Sequence, residues 1–206
     1  MVTDVGVAES VEALADRAFE VHGRVDVVVN NAGTVVTGRI WDIPLVEWRR
    51  LLDVNLWGVI HGIHAFVPRL IAQGGPAYVV NTASMAGVMT LPSLAPYVAS
   101  KQAVVGLTEV LHHDLAAVGA PVGVSVVCPG YVPTRLGMTD REAQVAEPPP
   151  GGVSADDVAA TVRRAMREGR FYVFTHPGST DHVTRRLAAI VDGRAPVGVR
   201  LPSPGH

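Results

Sequence analysis

The chain is 206 residues long, enough for one substantial core, with 17 lysine plus arginine against 19 aspartate plus glutamate and a formal charge of −2. No block of like charge would recruit nucleic acid or acidic lipid, so small-molecule chemistry fits better than polyanion binding. Cys128 is the only cysteine, which excludes an internal disulfide and a cysteine-rich metal site and makes a reducing, cytoplasmic setting the expectation; no apolar run approaches the roughly 18–20 residues of a membrane span.

In chain order, AESVEALADRAFEVH places Val11, Leu14, Ala15 and Ala18 at helical spacing. VDVVVN follows as a short run rich in β-branched residues, before the turn-prone NNAG. A long helical stretch is predicted from about Pro44 to Ala72, with Pro68 expected to kink or interrupt it, and it leads to AYVVNTAS. A second helix, about Pro96 to Val118, leads to VGVSVVCPG, and a third, near Ser154 to Glu168, leads to FYVFT.

Strands apolar on both faces, alternating with helices of about ten or more residues, predict an α/β fold: a doubly wound parallel sheet with helices on both faces. Ligands of such sheets lie outside the carboxyl ends of the strands, so NNAG, NTASMAG and CPGYVPT are expected to converge on one crevice. One domain is expected over residues 1–191. The stretch EAQVAEPPPGG reads as a mobile connection and residues 192–206 as a disordered tail, because proline and glycine crowd out packing residues.

Tyr97 and Lys101, in YVASK, share a helix face if that segment is helical. A phenol titrates near 10, so acid–base work at neutral pH needs a shift of about 3 units, roughly 4 kcal/mol. An ammonium about 4 Å away supplies about 1 kcal/mol in water but roughly 4 at an effective dielectric near 20, so the pair requires a partly desolvated crevice. Ser84, thirteen positions before Tyr97, would bring a hydroxyl to the same place.

Taken singly, each residue also has a structural explanation. Asn30, Asn31 and Gly33 suit a turn, Ser84 a loop cap, Asn55 a helix interruption and Thr134 a helix N-cap. His61 and His64 could share a helix face, but no third ligand stands at matching spacing and no metal site is expected. His112 and His113 read as a solvated helix face, and Cys128 as a small buried hydrophobe.

Jointly, NNAG (Asn30 to Gly33), VNLWG with Asn55, the Ser84 to Tyr97 spacing, YVASK, and CPGYVPT with Pro129, Gly130 and Thr134 resemble the short-chain dehydrogenase/reductase family, from about Thr3 to Arg186. The resemblance implies a Rossmann-like sheet, NAD or NADP as cofactor, and interconversion of a secondary alcohol and a ketone by hydride transfer. It implies that Tyr97 is the acid/base, that Ser84 holds the substrate oxygen, and that Lys101 lowers the Tyr97 pKa and bonds the nicotinamide ribose. Asn55 would hold a relay water. Asn30, Ala32 and Gly33 would line the adenosine side, Pro129 and Gly130 would shape the turn beneath the nicotinamide, and Thr134 would bond its carboxamide region. Asp4 and Val5, in TDVGV, would meet the adenine. The family further implies closure over substrate by Leu136 to Gly152, and a homodimer or homotetramer built on the two long helices.

The family's glycine-rich phosphate loop does not occur in this sequence. About two βα units, roughly 60 residues at about 30 per unit, are expected to be missing ahead of Asp4. Met1 is then expected to be an internal methionine of a longer protein, the alternatives being a chain that hides its open sheet edge by oligomerising or one that is poorly stable. VDVVVN is expected to be an exposed apolar edge, and the choice between NAD and NADP is unreadable. A catalytically silent member of the family, acting as a binding or interaction subunit, is the competing expectation.

Overall fold

The structure, a computed structural model, describes residues 1–134, 136 and 152–196. Helix α1 (Ala8–His22) buries Val11 and Ala15, one helical turn apart, and stops where Gly23 adopts a left-handed φ of 73° and its N–H reaches the Phe19 carbonyl. Strand β1 (Val27–Asn30) follows. The predicted long helix is two helices, α2 (Leu45–Leu52) and α3 (Gly58–Gln73), joined by a π-helical turn over Asp53–Trp57.

Pro68 does not interrupt α3, contrary to expectation. A proline forfeits a single helical hydrogen bond, and here Ala65, Phe66, Val67 and Leu70 are buried around it, so packing holds the helix through the defect. The break falls instead at Asn55, which is fully buried in the π turn.

Strand β2 (Ala77–Thr82), a short 3₁₀ turn (Met85–Gly87), helix α4 (Ala95–Ala117) and strand β3 (Val122–Cys128) come next. After them lie α5 (Ala155–Glu168), β4 (Tyr172–Phe174) and α6 (Ser179–Val191). A capping box starts α5: the Ser154 hydroxyl accepts from the Asp157 N–H while the Asp157 carboxylate accepts from the Ser154 N–H. The Arg194 N–H closes α6 on the Ala189 carbonyl. The connection at 141–151 and the tail residues 197–206 lie outside the described residues.

The four strands pair in parallel in the order β1-β2-β3-β4. Alternate residues face opposite sides of the sheet: Val79 and Val124 pack with Phe66, Leu70, Leu111 and Leu115 of α3 and α4, while Val80, Val127 and Val173 pack on Ala165 of α5. Both faces are therefore covered, which is why β2 and β3 are apolar almost throughout.

Strand β1 stands at the edge, with Val27 and Val29 41% and 53% exposed. An apolar groove of about 370 Å³ runs beside it, lined by Val5, Leu14, Ala18, Val27 and Phe66. A polar ladder ties this edge strand inward. The Asn30 amide donates to Asn81 Oδ1 at 2.8 Å, Asn81 Nδ2 donates to the Thr108 hydroxyl at 3.0 Å, and that hydroxyl donates to the Val104 carbonyl at 2.6 Å.

Gly62 of α3 makes room for the Asn30 end of the ladder, since a Cβ there would collide with the Asn30 amide. Gly62→Ala is expected to lose about 1–2 kcal/mol net, overpacking outweighing the gain in helix propensity, and to lower Tm by roughly 3–6 °C. A thermal melt checks this, and an unchanged Tm would mean that the ladder yields freely.

Candidate active site

Parallel pairing puts the ends of β1, β2 and β3 at one side of the sheet, and the loops that leave them meet there. The Ala83 N–H continues the ladder to the Val127 carbonyl at 2.8 Å, which carries the chain directly to Ser84. Ser84 caps the 3₁₀ turn by accepting from the Ala86 N–H at 3.1 Å, and its hydroxyl donates to the Pro129 carbonyl at 3.4 Å. That carbonyl also takes the Met85 N–H at 2.9 Å, so the loops after β2 and β3 are bonded together.

Tyr97 and Lys101 lie on the first turns of α4, where Pro96 suits a position whose N–H has no helical partner. Both are buried, at 9% and 3% exposure. Tyr97 packs with Leu51 and Ala86, beside Val35, Val36 and Leu94. Lys101 Nζ donates to the Thr82 carbonyl at 2.8 Å and sits 5.7 Å from the centre of the Tyr97 ring.

Burial moves both groups toward their neutral forms. The Tyr97 phenol is pushed above its ordinary value by desolvation, and a hydrogen bond with Ser84 offsets part of that rise. Desolvation lowers Lys101 to about 8, with the Cys128 sulfur opposing the shift. Burial is the largest influence on the phenol, and the Lys101 ammonium is turned to the Thr82 carbonyl.

Asn55 joins the loop after β1 to α4. Its Oδ1 accepts from the Thr34 N–H at 2.7 Å, and its Nδ2 donates to the Thr34 carbonyl at 2.9 Å and the Ser100 hydroxyl at 3.3 Å. Ser100 in turn donates to the Tyr97 carbonyl at 2.8 Å. Its side chain is thus engaged by Thr34 and Ser100, within the π turn. Gly33 brings the NNAG loop against this group, a Cβ there standing 3.6 Å from Asn55 Oδ1 and 3.7 Å from Lys101 Nζ.

The remaining sequence candidates divide. Asn30 points its amide into the sheet ladder, and Ala32 lines the groove beside β1. The Asp4 carboxylate accepts from the Gly6 N–H at 2.9 Å in a tight turn, while the Val5 carbonyl takes a 2.9 Å hydrogen bond from His61 Nδ1. Val5 packs so closely on α3 that a Cβ on Gly58 would come within 2.8 Å of it. Gly130 donates its N–H to His176 Nδ1 at 3.1 Å, and the Thr134 hydroxyl accepts from the Leu136 N–H at 3.3 Å.

Sequence reasoning missed Asn81, Ser100, Thr108 and His176. An Asn inside an otherwise apolar strand is a signal for the first. Ser100 and Thr108 are legible only once the helix face is known, and nothing local marks His176.

A family model described as short chain dehydrogenase matches residues 1–145. A CLA biosynthesis dehydrogenase/reductase of Lactiplantibacillus plantarum is 34% identical over 219 residues, covering 95% of this chain and 77% of that protein. A 1-deoxy-11-beta-hydroxypentalenate dehydrogenase of Streptomyces avermitilis is 41% identical over 181 residues, covering 85% of this chain and 65% of the relative's length. Among solved structures, a short chain dehydrogenase/reductase from Burkholderia phymatum in complex with NAD superposes with a TM-score of 0.88 at 37% identity, covering 97% of this chain and 78% of that one. With this sheet and this alignment over most of its length, the chain belongs to the short-chain dehydrogenase/reductase family.

Proposed function

We propose that the chain is an NAD(P)-dependent oxidoreductase that interconverts a ketone and a secondary alcohol, with Tyr97 as acid/base. The observation that carries this reading is the buried Ser84, Tyr97 and Lys101 group at the sheet's carboxyl edge, held by Asn55 and by the Pro129 carbonyl.

The residues fit a nicotinamide nucleotide. An ammonium has three donors, and among the described residues Lys101 has one hydrogen-bond partner, Thr82. Two donors remain for the adjacent hydroxyls of a ribose. Gly33 places the NNAG backbone beside Lys101, where even a Cβ would stand 3.7 Å from Nζ in ordinary contact, so a close-lying ligand meets little bulk on that side. Ala32 and Gly33 would then lie along the adenosine side, Asp4 and Val5 near the adenine, and Pro129, Gly130 and Thr134 along the nicotinamide. When bound, the nicotinamide supplies or takes up the hydride.

The chain's own residues handle the oxygen and its proton. Ser84 holds a long 3.4 Å hydrogen bond to Pro129, which a carbonyl oxygen at normal distance would displace. Tyr97, kept protonated by burial, gives its proton to that oxygen as charge develops on it. Val36, Leu94 and Val98 flank Tyr97, so the substituents beside the carbonyl are apolar.

A pH dependence follows in sign. A phenol held above its ordinary value is ready to donate across the neutral range but is scarce as phenolate. Alcohol oxidation is expected to accelerate as pH rises from about 7 to 9, and ketone reduction to show no such rise. Initial rates in both directions with NADH and NADPH, over a panel of apolar ketones and alcohols, test this. Oxidation that slows with pH while reduction speeds up would contradict the assignment.

A further inference from the structure

We propose that His176 is a positioning residue for the nicotinamide end of the site, fixing the Pro129-Gly130-Tyr131 backbone as a neutral imidazole. The inference rests on the cofactor reading above and adds a residue that no motif singles out.

His176 lies between β4 and α6, and both ring nitrogens reach the loop after β3. Nδ1 is 3.1 Å from the Gly130 nitrogen and 2.8 Å from the Thr175 hydroxyl, and Nε2 is 2.8 Å from the Tyr131 carbonyl. A backbone N–H can only donate and a carbonyl can only accept, so these partners select the neutral ring with its hydrogen on Nε2. The ring thus accepts from one residue of the turn and donates to the next.

The backbone that carries the ring is itself anchored. The His176 carbonyl accepts the Ser179 hydroxyl at 2.8 Å, and Ser179, 5% exposed, opens α6. Gly130 completes the fit, because a Cβ at that position would stand 2.9 Å from the His176 ring.

The turn it holds also supports the catalytic loop, since the Pro129 carbonyl accepts from both Ser84 and Met85. Loosening Gly130 therefore loosens the floor on which a nicotinamide would rest, and the Ser84 loop with it. Ordinary packing of a partly buried histidine would predict none of this directionality.

The test uses the full chain and three variants. NADH and NADPH binding is measured by fluorescence titration for wild type, His176→Ala, His176→Asn and His176→Gln, with a thermal melt of each. An Asn amide oxygen stands near the position of Nδ1 and preserves the acceptor for Gly130; a Gln amide reaches toward the Nε2 position instead.

His176→Ala is expected to weaken binding of the preferred nucleotide about tenfold, the scale of roughly two neutral hydrogen bonds. His176→Asn should restore most of the affinity, and His176→Gln should not. Equal affinity in wild type and His176→Ala, or an Asn variant as weak as the Ala variant at similar Tm, overturns the proposal alone. A wild-type chain that binds neither nucleotide defeats the cofactor reading and this proposal with it. Nitrogen-15 spectra give a readout independent of binding: the His176 ring should show hydrogen on Nε2, and a ring protonated on Nδ1 at neutral pH would refute the positioning.

Discussion

Tyr97→Phe is expected to lower turnover about 10²- to 10⁴-fold, the range that proton transfer by a positioned side chain contributes, while Tm stays within a few degrees of wild type. The ring is what packs: Tyr97 is 9% exposed and lies among Leu51, Ala86, Val36 and Leu94, and phenylalanine keeps those contacts. Removal of the hydroxyl takes away only its polar interaction with the neighbouring Ser84, a loss of about 1 kcal/mol at most in net stability. Cofactor binding should survive, because the ammonium of Lys101 and the turn at Gly130 are untouched. Steady-state assays and a melt on the same preparations check both halves, and full turnover in the variant would remove Tyr97 from the proposed chemistry.

Lys101→Met is expected to do something less intuitive: raise stability at pH 7 while lowering turnover at least about 10²-fold. Desolvation lowers Lys101 from its ordinary value to about 8, so the fold holds a charge that burial disfavours. A shift of between two and three units is worth roughly 3 kcal/mol at about 1.4 per unit. Against that stands the hydrogen bond to the Thr82 carbonyl, whose loss costs about 1–2 kcal/mol, so the methionine variant should gain about 1–2 kcal/mol net.

The pH dependence has a definite sign. A lysine depressed in the fold binds its proton more weakly than in the unfolded chain, so its destabilising effect is full below about 8 and fades as pH rises toward the ordinary value near 10.4. Cys128, pushed up to about 12 chiefly by burial, acts the other way above about 8.5, because the unfolded thiol ionises first. The wild type alone will therefore show the two partly cancelling. The difference between wild type and Lys101→Met isolates the lysine, and it should shrink from pH 7.5 to about 10. A variant less stable than wild type at pH 7, or a difference that ignores pH, would contradict the buried ammonium.

Most of the sheet was readable because burial on both faces forces a composition that sequence displays. VDVVVN, AYVVNTAS, VGVSVVCPG and FYVFT became β1 to β4, in parallel and in chain order. The extent of α5, expected near Ser154 to Glu168, was readable from helical spacing, whereas its capping box emerged only from the structure. Helix α6 was not foreseen: its buried residues, Ser179 and Ala189, are small and make no apolar stripe.

Within the candidate site, spacing identified the Ser84, Tyr97 and Lys101 group but not its electrostatics. The sequence shows a phenol and an ammonium four positions apart, which suggests a charge pair. Only the packing of Val35, Val36 and Leu94 around the phenol shows that desolvation dominates. Residues that act by long-range bonds escaped altogether. Asn81 to Thr108 spans 27 positions and Gly130 to His176 spans 46, distances over which no local pattern reports contact.

The central claim is that this chain moves hydride to a carbonyl carbon and a proton from Tyr97 to its oxygen. Reduction of an apolar ketone by nicotinamide nucleotide deuterated at one face of C4, followed by mass spectrometry of the alcohol, tests it most directly. Deuterium should appear on the carbinol carbon from one face only, and at a rate lowered at least about 10²-fold in Tyr97→Phe. Product carrying no deuterium from either face, or label transferred equally fast by the phenylalanine variant, would contradict the account.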